Sequence, residues 1–279
     1  MPGDYHPRMS TWRSLQDSLG ELGRSGLRSS VGWSASWWHV VHVGALILVL
    51  ALSPSTWDRA NRRALARHVY VGTAPILPWF ALLAALISVV LIRIVVVTAL
   101  SYGLSQYALE MVVRTLVLEL IPLTAALFVA LRSTVPSGTE LIRMHRRGEL
   151  DALLRAGTDP LRHELLPRVL AGSFAVLMLA AVSSVIAMVL AYFSVYGFSL
   201  AAFAGFTRTL GQIFNPAVAL IFALKTLFFS LAVALIPVAA FLRGQHAPAG
   251  RTSPELQSLV RLFTAILLIE IVSLMSNYY

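Results

Sequence analysis

The stretch ILPWFALLAALISVVLIRIVVVTALS, residues 76–101, runs for 26 residues with a single charge, Arg93. As a helix at 1.5 Å per residue it is about 39 Å long, enough to cross a hydrocarbon layer about 30 Å thick. Four more runs follow, at about 109–132, 167–195, 213–242 and 256–277. Inside a bilayer no water is present to satisfy backbone N–H and C=O groups, so each run has to be a helix. Pro78, Pro122 and Pro237 fall within them and are tolerated where neighbouring helices satisfy the freed backbone groups. Only 13% of the chain is charged, against about 25% in a soluble domain. The expected fold is therefore all-α and membrane-integral.

The segment before the first span reads differently. Residues 1–35 are polar, rich in Gly, Ser and Arg, and without sustained periodicity, which describes a flexible or surface-lying segment. They separate the chain start from the first apolar run by more than a secretory signal allows. WWHVVHVGALILVLAL (37–52) has only 16 residues, and its Trp37–Trp38 pair suits a headgroup layer. It reads as an interfacial or re-entrant helix ended by Pro54, in preference to a span. DRANRRALARH (58–68) is a basic helical stretch expected at the cytoplasmic surface.

The 22 basic residues include 21 arginines and one lysine, Lys225, against 13 acidic residues, for a net charge of +9. Their distribution tests the threading, because Arg and Lys accumulate in cytoplasmic loops. Arg59, Arg62, Arg63 and Arg67 precede the first span. Arg143, Arg146, Arg147, Arg155 and Arg162 lie between the second and third, and Arg243 and Arg251 between the fourth and fifth. The other two connections, 102–108 and 196–212, hold only Arg208. This alternation places the N-terminus inside and the C-terminus outside, provided 37–52 does not span. The basic excess thus reads as topology and lipid contact, and no base-reading surface points to nucleic acid.

RMHRRGELDALLRAGTDPLRHELLPRVLAG (143–172) carries ten charged residues between two apolar runs. Leu141, Met144 and Gly148 share one helical face. Leu150, Leu153, Leu154 and Gly157 share another, and the two phases do not join. Gly148 and Gly157 are expected to end successive short helices, Asp159 to cap the next, and Pro160 to occupy its first position. The result is a well-stopped elbow with one apolar stripe and one charged face. It can lie on the inner leaflet or dock a soluble partner. Glu140, Glu149, Asp151, Asp159 and Glu164 favour docking, since anionic lipid repels them.

These residues carry a resemblance. Glu119-Leu120-x-Pro122, Glu140-Leu141-x-x-Met144, Glu149-Leu150-x-Ala152-Leu153, Asp159-Pro160 and Pro167-Arg168-x-Leu170-Ala171 stand in the order and spacing of the MlaE (MCE-associated) ABC transporter permeases. The chain departs from that family at Leu131-Arg132-Ser133-Thr134, where a Gly-Arg-x-Gly turn is usual. The resemblance implies a permease domain over 36–279, with an interfacial helix, about five spans, and a coupling helix between the second and third. It implies a bacterial inner-membrane homodimer moving phospholipid or related lipid. Its partners would be a cytoplasmic ATPase, which holds the ATP and Mg, and a periplasmic MCE-domain protein. The elbow residues Glu140, Met144, Arg147, Glu149, Leu150, Leu153, Leu154, Arg155, Asp159 and Pro160 would meet the ATPase.

Ionisable groups inside spans are costly and often functional. Here they are Arg93, Arg114, Glu119, Lys225, Arg261 and Glu270. Glu119 and Lys225 lie near mid-span, and either pair with each other or line a cavity for a polar headgroup. Arg114 and Arg93 are weaker candidates for the same pathway. Glu110 and Arg114 are spaced to pair on one helix face, and Arg93 and Arg261 can reach an interface. Ala180, Ser184, Ala187 and Ala191 form a small-residue stripe suited to close helix packing.

There is no G-x-x-x-x-G-K-(S/T), so energy must come from another subunit. No histidine falls within the five runs, which argues against an intramembrane hydrolase, and the His39/His42 pair lacks the carboxylate neighbours of a metal site. There is no cysteine for thiolate or disulfide chemistry. No cofactor is expected in this chain. Two rival functions fit the same residues: a secondary transporter or channel using Glu119 and Lys225, and a scaffold that recruits a soluble protein through the elbow.

Overall fold

The computed structural model describes residues 37–53, 57–104, 107–244 and 254–278. The expectation for residues 1–35 lies outside them, as does Arg251. The chain divides into two units, residues 1–46 and 47–279. Helix α1, Trp37–Leu52, begins in the first and is too short to count among the spans. All that follows concerns the second unit.

That unit is helical, with no strand among the described residues. The basic stretch forms α2, Arg59–Thr73, and a turn at Ala74–Ile76 leads into α3, Leu77–Ser101. α4 runs unbroken from Ala108 to Arg146, so the first half of the elbow is a direct extension of the second span. The short α5, Glu149–Arg155, is followed by α6, Leu161–Tyr196. α7, Phe203–Ile213, α8, Pro216–Gly244, and α9, Pro254–Tyr278, complete the chain. Five of these helices are long and apolar enough to cross a membrane, as the apolar runs predict.

α6 is the centre of the bundle and packs against α2, α3, α4 and α8. The expected small-residue stripe faces inward: Ala180, Ser184, Ala187 and Ala191 are all buried. Small side chains let the helix axes approach, which is what holds helices together where lipid offers no hydrophobic contrast. The packing is tight at Gly172, where a Cβ would sit 2.9 Å from Thr134 Cγ2 of α4. Gly138 of α4 plays the same part against Pro237 of α8, at 3.2 Å. Many large side chains face outward. Leu82, Leu86, Val90 and Ile94 on α3, and Leu267 and Val272 on α9, are exposed, an arrangement suited to hydrocarbon and unsuited to water.

Three segments widen into π turns, over Val113–Leu120, Ala130–Thr134 and Leu161–Leu165. Each ends two residues before a proline: Pro122, Pro136 and Pro167. A helical proline cannot donate to the carbonyl four residues back and its ring crowds that carbonyl. Widening the preceding turns relieves the clash.

One connection differs from its expected form. Residues 196–212, read as a connection between spans, contain α7, and the next helix starts at Pro216, against about 213 expected. Asn215 is the cause: its Oδ1 accepts the Val218 N–H at 2.9 Å, capping α8, and Pro216 takes the first position. Rings of Phe203 and Phe206 on α7 pack on Tyr192 of α6, Phe206 edge-on at 5.0 Å between centroids, and hold α7 against the bundle end remote from the elbow.

Candidate functional site

The elbow is built by glycine stops. Gly148 and Gly157 have φ of +73° and +76°, a left-handed geometry that glycine adopts without the Cβ penalty of other residues. They end α4 and α5 in turn. Asp159 Oδ1 accepts the Leu161 N–H at 3.0 Å and restarts the chain at Pro160. Ion pairs decorate this frame: Arg143–Glu140 at 3.4 Å, Arg147–Glu149 at 3.6 Å and Arg162–Asp159 at 3.6 Å. All are largely solvated, so each contributes little to stability. The exception is Arg168 on α6, which pairs with Glu164 at 2.9 Å and also reaches Ser137 O and Met144 Sδ on α4. This contact ties the two arms of the elbow together.

The apolar stripe is divided. Leu150 is 5% exposed and anchors α5 to the chain itself, together with Leu141 at 0%. Leu153 is half-buried, while Leu154 is 59% exposed at the tip, flanked by exposed Asp151 and Arg155. The surface available to a partner is therefore Leu154 with its charged rim, smaller than three leucines. Met144 is likewise half-buried, facing Arg168.

The second feature is an ion cluster inside the bundle. Lys225 of α8, with its side chain 1% exposed, donates to Glu119 of α4. It also donates to Leu118 O at 3.2 Å. Pro122 explains that acceptor, because it has no N–H to offer the carbonyl four residues back. Lys225 Nζ lies 2.9 Å from Glu270 Oε2 of α9, close enough for an ion pair. Asn277 Nδ2 approaches Glu119 Oε1 at 3.5 Å, and the Phe229 ring lies 5.9 Å from the ammonium. Counting from the helix ends remote from the elbow, the three charges sit roughly 12–16 Å deep, near the middle of a hydrocarbon layer.

Glu119 and Lys225 thus come together, the first of the two alternatives open to them, and the cluster has a third member. Glu270 supplies a second carboxylate to one ammonium. Arg114 does not join: it pairs with Glu110 at 2.9 Å. Arg93 does not join either, and stands on the exposed face of α3. Beside the cluster a cavity of about 400 Å³ opens between α8 and α9, walled by Ile221, Leu224, Phe228, Leu268 and Val272, with Lys225 at its edge.

Five spans, a stopped elbow between the second and third, and a charged cluster at mid-depth define a polytopic membrane transport subunit. Residues 65–275 match the family model described as Permease MlaE, and the chain belongs to that family. It is accordingly the permease subunit of an ABC transporter. No curated protein matches the chain significantly.

Proposed function

We propose that this permease moves phospholipid or a related lipid between the inner membrane and the outer envelope, driven by a separate cytoplasmic ATPase that grips the elbow. The observation that carries the coupling half is the exposed tip of α5. Leu154 projects from a short helix stopped at both ends by left-handed glycines, so a push on α5 passes into α4 and α6 and is not absorbed by slack chain. Leu154 enters a groove of the ATPase, and Glu149, Arg147 and Arg155 set its register. On this reading the elbow is cytoplasmic, as the arginine distribution requires.

The lipid half is supported by the apolar cavity beside Lys225. Its walls suit acyl chains. Two copies of the chain, with α8 and α9 turned toward each other, would enclose that cavity, and a periplasmic MCE-domain protein would receive or deliver the lipid at the opposite face.

The test is reconstitution. The full chain with its co-purified ATPase is placed in phosphatidylglycerol vesicles containing a fluorescent phospholipid. ATP-dependent lipid movement is expected, reduced about tenfold or more by Glu149→Lys through lost docking. Lipid movement without ATP, or unchanged by that substitution, contradicts the proposal.

A further inference from the structure

A cleft of about 580 Å³ opens at the elbow end of the bundle, where α2, α4, α6 and α8 meet. It is distinct from the mid-depth ion cluster, and none of the coupling tip lines it. Its lining includes small residues, Gly72 of α2, Gly172 and Ala171 of α6, and Ala234 of α8. Its rim is basic. Arg67 comes from α2, Arg132 from α4 and Arg168 from α6.

The charges do not cancel within the cleft. Arg168 is neutralised by Glu164 at 2.9 Å, and Glu140, the acidic residue on the wall, is engaged by Arg143 at 3.4 Å. Arg67 and Arg132 have no such partner among the described residues, and both are exposed. Two uncompensated arginines therefore line one concave space from separate helices, and Ser133 lines it too. Paired forks with a hydroxyl match the oxygens of a phosphate better than those of any smaller anion. Val71, Ile76 and Val238 give the same cleft an apolar wall.

We propose that this cleft binds an anionic phosphate group, as the headgroup of an acidic phospholipid or as free phosphate, and that it is a site separate from the transport cavity. The cleft sits where α3 begins, at the level at which basic side chains meet headgroups. Because Arg168 also holds Ser137 and Met144, a phosphate seated there would stiffen the junction between the spans and the elbow.

The test uses native mass spectrometry of the purified full chain in detergent. It is titrated with phosphatidylglycerol, with phosphatidylcholine, and with inorganic phosphate as competitor. Phosphatidylglycerol is expected to be retained about tenfold better than phosphatidylcholine, whose choline brings a further cation to an uncompensated basic rim. Arg67→Gln with Arg132→Gln is expected to weaken retention about tenfold or more, since two charge-assisted contacts are removed. Arg62→Gln with Arg63→Gln removes equal charge from exposed positions of α2 outside the cleft and should leave retention intact. The Arg→Lys pair at 67 and 132 keeps the charge without the fork and should fall between, which separates loss of binding from loss of fold. Displacement by inorganic phosphate identifies a soluble occupant, and resistance to it identifies the headgroup. Equal retention of both lipids with no phosphate binding, or equal loss in the two Gln pairs, overturns the proposal. No readout here involves an ATPase, so the outcome is independent of the coupling reading.

Discussion

Lys225→Met is the most informative single change to the buried cluster. It removes the one cation held between Glu119 and Glu270, whose side chains are only 14% and 16% exposed. Losing one partner of a buried ion pair costs about 3–5 kcal/mol, because the remaining charge keeps its desolvation penalty without compensation. Here two carboxylates are stranded, so the upper part of that range applies. The Leu118 carbonyl, left without a donor by Pro122, loses its partner too, adding about 1 kcal/mol or more. For a chain of this size the melting temperature should fall on the order of 10 °C or more. Tryptophan fluorescence of the purified protein, heated in detergent, measures it. The triple variant Lys225→Met, Glu119→Gln, Glu270→Gln removes the stranded charges and should recover most of the loss. If Lys225→Met melts with the parent, or the triple variant is no better than the single, the electrostatic account of the cluster is wrong.

Other expectations follow from specific contacts. Gly172→Ala places a methyl 2.9 Å from Thr134 Cγ2 and should cost about 1–3 kcal/mol, with Thr134→Ser recovering part of it, since serine keeps the bond to Ala130 O and lacks that methyl; paired melts read both. Gly148→Ala meets no atom within 4 Å, so its cost should be backbone strain alone, about 1–2 kcal/mol, seen as faster amide exchange confined to α5 and its flanks. Leu150→Asp should disorder the elbow by burying a carboxylate, whereas Leu154→Asp should leave exchange there unchanged while abolishing recovery of the ATPase; similar behaviour of the two would show that the tip is not divided as described.

Much of this architecture is readable from residue order. Span length follows from apolar runs, the stops at Gly148 and Gly157 from glycine between two mismatched helical phases, and the packed face of α6 from Ala180, Ser184, Ala187 and Ala191. That Glu119 and Lys225 each need a polar partner follows from the cost of leaving either alone in hydrocarbon, and pairing is one of the two ways to meet it. The rest depends on tertiary placement. Glu270 stands out as a charge in a span, but nothing local reveals that α9 delivers it to the same ammonium. Leu150 and Leu154 look alike on a helical wheel, and only packing buries one and exposes the other. Some signals were present in the residues. Asn215-Pro216 is a cap signature that separates α7 from α8 inside one apolar stretch, and the three prolines mark where each π segment ends. The convergence of Arg67, Arg132 and Arg168 has no counterpart along the chain, since the three lie on different helices.

Photo-crosslinking from position 154 tests the central claim most directly. A photoreactive amino acid replaces Leu154 in the full chain, and in a second protein replaces Arg208, which is exposed on α7 at the opposite end of the bundle. Irradiation in native membranes, followed by mass spectrometry of the adduct, should give a product at 154 containing a P-loop ATPase and none at 208. An ATPase adduct at 208, or no ATPase at 154 while the protein remains folded, would contradict the assignment of the elbow as the coupling element.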